Sequence, residues 1–248
     1  MARTSAAKKS KVFDSTDNLQ ESTYRESDLE LIDSSAMSGN AIYSHALLAA
    51  YDLYVIGLPN SLAWKCSTNK LLSLYNENIS AKHLDIGVGS GFYLDNCQFP
   101  ASSPQITLGD TNRDHLEKVS QRIARHNPTT VQMNIFDPKT YPFDSFESIG
   151  INYLLHCLPG PFKRKLNVFS NLMPYLVKGG RVFGSTILGT GAPHNLLGRL
   201  LLKTYNKNKI FSNTEDNVND LKEALTKIFG NCKVEVEGCV ALFSARVI

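Results

Sequence analysis

The chain has 248 residues, 42% hydrophobic and 20% charged, the make-up of an ordinary globular protein with room for one full core but not for two domains plus linkers. A net charge of +3 is too small for a phosphate-tracking surface and argues against nucleic acid as a partner. Five cysteines (Cys66, Cys97, Cys157, Cys232, Cys239), odd in number and never spaced Cys-x-x-Cys, exclude a disulfide framework and a cysteine-based zinc site.

Residues 1–35 stand apart. Basic Arg3, Lys8, Lys9 and Lys11 precede acidic Asp14, Asp17, Glu21, Glu26, Asp28, Glu30 and Asp33, with serine and threonine between. Too few apolar groups are present to offset the entropy of ordering, which predicts a disordered leader. No apolar run reaches membrane-span length and no signal-peptide core is present, so a cytoplasmic protein without a membrane partner is expected. Residues 36–78 read as a helical cap or lid. Ile42, His45, Ala46, Ala49 and Leu53 keep one face apolar, the turn at Gly57 and Pro59 interrupts it, and a second helix follows; Tyr51, Tyr54 and Trp64 are its large aromatics.

The rest of the chain is organised around residues 83–94. A short apolar run carrying Asp85 meets Gly87, Gly89 and Gly91 at alternate positions before the pattern turns helical, as when a buried parallel strand enters a ligand-gripping turn. Glycines there admit positive φ and close approach of backbone to a nucleoside. The dinucleotide fingerprint is excluded because Phe92 stands where glycine or alanine is needed, and the phosphate-cradling P-loop lacks its Gly-Lys-Ser/Thr. Asp85 would repel a pyrophosphate but suits a ligand carrying an ammonium and a sulfonium.

Asp85-x-Gly87-x-Gly89-x-Gly91 resembles motif I of the class I S-adenosylmethionine-dependent methyltransferases, a resemblance extending over roughly residues 41–248. Within that superfamily, the segments 152–160 and 205–213 are similar to small methyltransferases of bacterial and fungal origin. The resemblance implies an α/β fold over residues 79–248: a Rossmann-like, seven-stranded, mostly parallel sheet with an antiparallel last strand and helices on both faces. It implies S-adenosylmethionine as methyl donor and S-adenosylhomocysteine as product. It also implies that amino-terminal helices close over the donor, for which Tyr51 and Trp64 are the candidates, set against simple core packing.

The later elements appear in the order that fold requires. A second strand, 105–109, ends at Asp110, about twenty residues beyond the glycines, where a carboxylate can hold ribose hydroxyls. Thr111 and Asp114 look like a capping box for the next helix, which carries Leu116, Val119 and Ile123 inward. After a third strand, 130–134, the resemblance implies that Asp137 accepts the adenine amino group while Phe136 contacts the ring; an Asp-Pro turn opener is the competing reading. A fourth strand, 148–153, delivers Asn152, Tyr153 and then His156 to the carboxyl edge of the sheet, where ligands bind in open α/β folds. Asn152 is placed with the donor site. His156 is the candidate base for an acceptor proton, weighed against a satisfied or substrate-positioning histidine, and His194 is the second choice. Neither histidine has a metal-ligand partner at helical or hairpin spacing, so no metal is expected.

Pro161 opens a helix with Phe162, Leu166, Phe169, Leu172 and Leu176 on one face and Lys163, Arg164 and Lys165 on a solvated one, stopped by Gly179 and Gly180. A fifth strand, 181–188, follows. A helix bearing Leu196, Leu197, Leu200 and Leu201 then leads to an aromatic, amide-rich segment, 205–213, suited to an acceptor wall. A last helix precedes two strands, 233–237 and 240–248, whose tight link at Gly238 permits only an antiparallel hairpin. The expectation is methyl transfer to a small organic acceptor, natural-product-like in kind. The rivals are a donor-binding protein with other chemistry or a structural role, and a protein or RNA methyltransferase.

Overall fold

The computed structural model describes residues 59–137, 141 and 144–248; the leader and Tyr51 lie outside the described residues. Seven strands form one sheet: β1 (Lys82–Ile86), β2 (Gln105–Asp110), β3 (Thr129–Gln132), β4 (Phe146–Asn152), β5 (Leu176–Ile187), β6 (Cys232–Glu237) and β7 (Val240–Arg246). Their order is β3-β2-β1-β4-β5-β7-β6. β1 pairs in parallel with β2 and β4, and β7 alone runs antiparallel, to both β5 and β6. The two-residue link through Gly238 and Cys239 forces that reversal, since Glu237 pairs directly with Val240. The strand order reverses between β1 and β4, so a crevice for ligands is expected past the carboxyl ends of these strands.

Helices cover both faces because the central strands are buried on both. Helices α1 (Thr68–Asn78), α2 (Phe92–Asn96) and α3 (Arg113–Arg122) bury Leu71, Tyr75, Tyr93, Leu94, Leu116 and Val119 against Ile106, Leu108 and Phe183. On the other face α4 (Phe162–Lys165), α5 (Val168–Leu172) and α7 (Val218–Phe229) bury Phe162, Phe169, Leu172, Leu221, Leu225 and Phe229 against Leu84, Ile149, Ile151, Val182 and Phe243. Helix α6 (Leu196–Lys207) lies at the carboxyl edge beside the turn Pro59–Ala63, where Asn195 Nδ2 donates to the Leu62 carbonyl at 2.7 Å. Polar caps fix the helix starts: Ser67 Oγ accepts from Lys70 N, Asn195 Oδ1 from Gly198 N and Asn217 Oδ1 from Asp220 N. Each such cap contributes about 1 kcal/mol.

Three local expectations are corrected. The helix after β2 is capped by Asn112, whose Oδ1 accepts from Asp114 N at 2.9 Å, not by Thr111. The single helix expected after Pro161 is two short helices and a terminal turn, Met173–Tyr175, bearing Pro174; the apolar positions are nonetheless buried as their spacing requires. Gly179 and Gly180 do not stop a helix but lie within β5, which begins at Leu176. There the pairing with β4 jumps from Phe146↔Leu176 to Ser148↔Arg181, and Gly179 takes φ +76°.

A fourth correction concerns Lys165, expected on a solvated face. It is fully buried, and its Nζ donates to Asp216 Oδ2 at 2.6 Å and to the Ser212 carbonyl at 2.7 Å. Burial pushes the Asp216 carboxyl up to about 6, with the nearby ammonium opposing, and the same burial lowers the Lys165 ammonium. A buried pair of this kind is costly to break singly. Lys165→Met is expected to lower unfolding stability by about 3–5 kcal/mol, and Lys165→Met with Asp216→Leu to recover most of it. Urea unfolding of both variants checks this; equal losses would show that the charges do not compensate one another.

Candidate active site

The glycine turn leaves β1 with all three glycines at positive φ: Gly87 at +72°, Gly89 at +53° and Gly91 at +73°. Two of them are also sterically fixed. A Cβ on Gly87 would meet the Leu154 side chain at 2.8 Å, and one on Gly91 would meet Val119 Cγ1 at 2.7 Å. Gly89 differs, for nothing stands within 4 Å of the place its Cβ would occupy. The turn therefore presents an open stretch of backbone at its tip. Beside it the Ser90 hydroxyl is buried without a hydrogen-bond partner. An open cradle and an orphaned hydroxyl fit a polar ligand group bound at this turn.

The turn is held from both sides. Asp110, at the end of β2, accepts from Val88 N on Oδ2 at 3.2 Å and from Asn112 N on Oδ1 at 2.9 Å, tying the glycine turn to the start of α3. His115 stands 3.9 Å from the same Oδ2. On the outer side Arg122 Nη1 donates to the Ser90 carbonyl at 3.1 Å while its Nε grips Asp95 at 3.0 Å. Burial works to raise the Asp95 carboxyl, but Arg125 and Arg122 outweigh it and hold it below the usual range.

Asp85 is placed differently from a simple ligand contact. It is buried beneath the turn, where Oδ2 accepts from the Tyr75 hydroxyl at 2.8 Å and lies 3.3 Å from His83 Nε2. His83 Nδ1 continues the chain to Ser148 Oγ at 2.8 Å, which in turn accepts from Ser80 N. The carboxylate thus acts through the turn from below. Asp137 is exposed and Phe136 half-buried against the core, both in a tight turn after β3 where Asn134 Oδ1 accepts from Phe136 N and the Asn134 carbonyl from Asp137 N.

At the end of β4, Asn152 Oδ1 accepts from Ser185 Oγ, which joins the ends of β4 and β5. Tyr153 follows at φ +53°, its N–H given to the Ser185 carbonyl at 2.8 Å. His156 is buried, with its ring edge-on to Tyr153 and to Phe211, whose centroid is 4.5 Å away. Its Nδ1 accepts from Ile187 N at 3.3 Å, so the neutral ring carries its proton on Nε2. Burial, aided by the Lys165 charge, drives this imidazole down to about 3. As described it is neutral with its accepting nitrogen occupied, an arrangement that suits a fixed wall and hinders proton uptake. Trp64 is buried against Phe211, with ring centroids 6.1 Å apart, and its carbonyl accepts from Cys239 N. The amide segment expected as an acceptor wall lies here too. Asn213 Nδ2 donates to the Ile187 carbonyl and Ser212 N to the His156 carbonyl.

Sequence reasoning gathered the glycines, Asp110, Asn152 and His156 at one edge, and the structure brings them to the carboxyl ends of β1, β2 and β4. It did not identify the Lys165–Asp216 pair or the Tyr75–Asp85–His83–Ser148 chain. Only the alternation of His83 and Asp85 on one face of β1 hinted at the latter.

Two outcomes are expected. Gly89→Ala should cost about 1–2 kcal/mol of stability, the left-handed penalty alone, and Gly91→Ala roughly 2–4 kcal/mol because Val119 must also give way. Matched chemical unfolding decides it; equal costs would mean that the two glycines do the same job. A buried neutral His156 binds no proton down to about pH 3, whereas the unfolded chain binds one below about 6.5. His156 therefore contributes stability above 6.5 that is lost as pH falls toward 3, a slope that Asp216, shifted upward, opposes. The unfolding free energy of His156→Gln minus that of the unmodified chain, followed from pH 7 to 4, should rise; a flat difference would place the ring in contact with water.

No family model matches the chain. Among curated proteins it is 38% identical over 215 residues to the demethylluteothin O-methyltransferase of Streptomyces thioluteus, covering 87% of this chain and 94% of that protein. It is 36% identical over 209 residues to the physcion biosynthesis cluster O-methyltransferase of Aspergillus chevalieri, covering 84% and 94%. Among solved structures, the N-methyltransferase NodS of Bradyrhizobium japonicum WM9, in complex with S-adenosyl-L-homocysteine, aligns with a TM-score of 0.52 at 14% identity, over 72% of this chain and 84% of that one. That structural likeness speaks to the fold, and the curated relatives speak to descent. With the sheet order, the glycine turn and the carboxylate after β2 on the same side, the chain belongs to the class I S-adenosylmethionine-dependent methyltransferases.

Proposed function

We propose that this protein methylates an oxygen atom of a small, natural-product-like acceptor, working in the cytoplasm in secondary metabolism. The observation that carries the reading is the glycine turn: a backbone cradle, open at Gly89, between the Asp85 and Asp110 carboxylates at the edge where strand order reverses. The two curated relatives are both named O-methyltransferases, which favours oxygen. Five unpaired cysteines accord with a reducing compartment, and no described helix is long and apolar enough to cross a membrane.

In this reading Gly87, Gly89 and Gly91 with Ser90 hold the amino-acid end of the donor, and Asp85 supplies negative charge beneath its ammonium and sulfonium. Asp110 takes the ribose hydroxyls, exchanging the Val88 N–H for them or sharing it. Asp137 and Phe136 take the adenine, and Asn152 closes the site at β4. Bound there, S-adenosylmethionine would supply an electrophilic methyl group with its thioether as leaving group, and the acceptor oxygen's proton would pass to solvent. The chain's own work is alignment and exclusion of water. Trp64 and Phe211 contribute a dry wall on the acceptor side. His156, neutral and anchored to Ile187 N, positions that wall; serving as the base would require it to release Nδ1 first.

Asp110→Ala is expected to weaken S-adenosylhomocysteine binding by about 1–3 kcal/mol, the scale of a lost charged hydrogen bond. Titration calorimetry measures it, and undiminished affinity would remove the ribose role. His156→Gln should leave the shape of the pH–rate profile between pH 5 and 8 unchanged, because an imidazole held near 3 contributes no limb there. Loss of an acid limb in that variant would restore the histidine as the base.

A further inference from the structure

Buried polar atoms without a hydrogen-bond partner are uncommon in folded proteins, and each calls for an explanation. Among the described residues they are the Ser90 hydroxyl, the Tyr153 hydroxyl and both ring nitrogens of His194. Their placement follows a rule: Ser90 lies in the turn after β1, Tyr153 directly after β4 and His194 in the loop after β5. These strands are neighbours, and each residue stands at a carboxyl end. Ser90 belongs to the donor turn already described. Tyr153 has no assigned role, and His194 only that of second choice as base.

Tyr153 is doubly unusual. A bulky residue at φ +53° stores backbone strain, which persists here because the Ser185 carbonyl holds its N–H and His156 packs edge-on against its ring. Its hydroxyl has the Cys66 and Cys239 thiols as neighbours, which are weak partners at best. Burial raises the phenol well above its ordinary value, so it stays a neutral donor. His194 is fixed by its backbone alone: its N–H goes to the Ala192 carbonyl at 3.0 Å and its own carbonyl accepts from Arg199 Nε at 3.1 Å. The Leu188 backbone lies beside its ring without forming a hydrogen bond of normal geometry. Burial, then the Arg199 charge, lowers this imidazole, leaving one nitrogen to donate and one to accept. Cys239 links the two places, since its thiol donates to the Pro193 carbonyl at 3.6 Å and also neighbours the Tyr153 hydroxyl.

We propose that Tyr153 and His194 are the acceptor-recognition pair, taking an uncharged acceptor whose hydroxyl donates to a ring nitrogen of His194 while a second, carbonyl-type oxygen accepts from the Tyr153 hydroxyl. The charge that acts on His156, the Lys165 ammonium, is spent on Asp216, and Arg199 beside His194 gives its Nε to that residue's carbonyl rather than to its ring. The proposal rests on the methyl-transfer reading and adds the chemistry of the acceptor to it. It explains why unsatisfied polarity is kept at this edge: the missing hydrogen bonds are completed only when the acceptor is bound.

The test uses the full chain with S-adenosylhomocysteine present and two probes: 3′-hydroxyacetophenone, whose hydroxyl and carbonyl cannot bond to each other, and 3-ethylphenol, which lacks the carbonyl. Binding of each is followed by calorimetry, and methyl transfer with labelled S-adenosylmethionine. The ketone should bind at least tenfold more tightly than the ethylphenol. Tyr153→Phe should erase that preference while leaving the melting temperature unchanged or raised, because the hydroxyl it deletes faces thiols, which are weak partners. His194→Gln should weaken both probes about equally. A lowered melting temperature in Tyr153→Phe with the preference intact would make the hydroxyl structural and overturn the proposal. Failure of the ketone to bind at millimolar concentration would overturn the acceptor class. Loss of S-adenosylhomocysteine binding by the unaltered chain would remove the methyl-transfer reading and this pair with it; intact affinity with both variants unaltered toward the probes overturns the pair alone.

Discussion

The Asp110 carboxylate is the contact on which the glycine turn depends. A parallel sheet delivers its strand ends to one edge but does not connect them, and backbone N–H groups in a left-handed turn lack the ladder partners that strands have. By taking Val88 N on one oxygen and Asn112 N on the other, Asp110 joins the turn after β1 to the helix after β2. Arg122 completes the hold from outside by gripping the Ser90 carbonyl. The cradle is thereby shaped before a ligand arrives, and little ordering remains to oppose binding.

The edge around His156 has a different hub. Lys165 and Asp216 join α4 to the segment before α7, and the Asp216 carbonyl accepts from Gly189 N and Thr190 N in the loop after β5. Asn213 adds Ile187 and Asn206, and Ser212 adds His156. A single buried charge pair therefore holds several segments around His156. This rigidity suits a displacement that requires alignment, and it leaves Tyr153 and His194 as the polar groups there with unused capacity.

What the sequence showed and what it hid divide along physical lines. Features set by near neighbours were legible: the apolar run of β1, the glycines at alternate positions, and the hairpin at Gly238. So was burial of the 162–176 face, even though the helix there is broken between Lys165 and Val168 and ends at the turn bearing Pro174, because spacing decides which side chains face the core. Features set by distant partners were hidden. Nothing near Lys165 announces a carboxylate 51 positions later, so a basic trio reads as solvated. Thr111 and Asn112 are both competent caps, and only the path of the chain out of β2 selects between them. Asp85 was recognisable as the acid leading into the turn and suited to a cationic ligand, but its bonds to Tyr75 and His83 depend on how α1 docks.

Gly238 has no room for a side chain: a Cβ there would lie 2.3 Å from the Trp64 carbonyl. The bend between the last two strands is thus seated on the strand of chain that leads into α1, and β7 is inserted between β5 and β6 rather than added at a border. During synthesis, residues 59–66 leave the ribosome long before the hairpin that receives them. The edge carrying Trp64 and Cys66 has to wait, unfinished, until the end of the chain arrives, which makes this corner a late event in folding and an early place for a stalled or shortened polypeptide to fail.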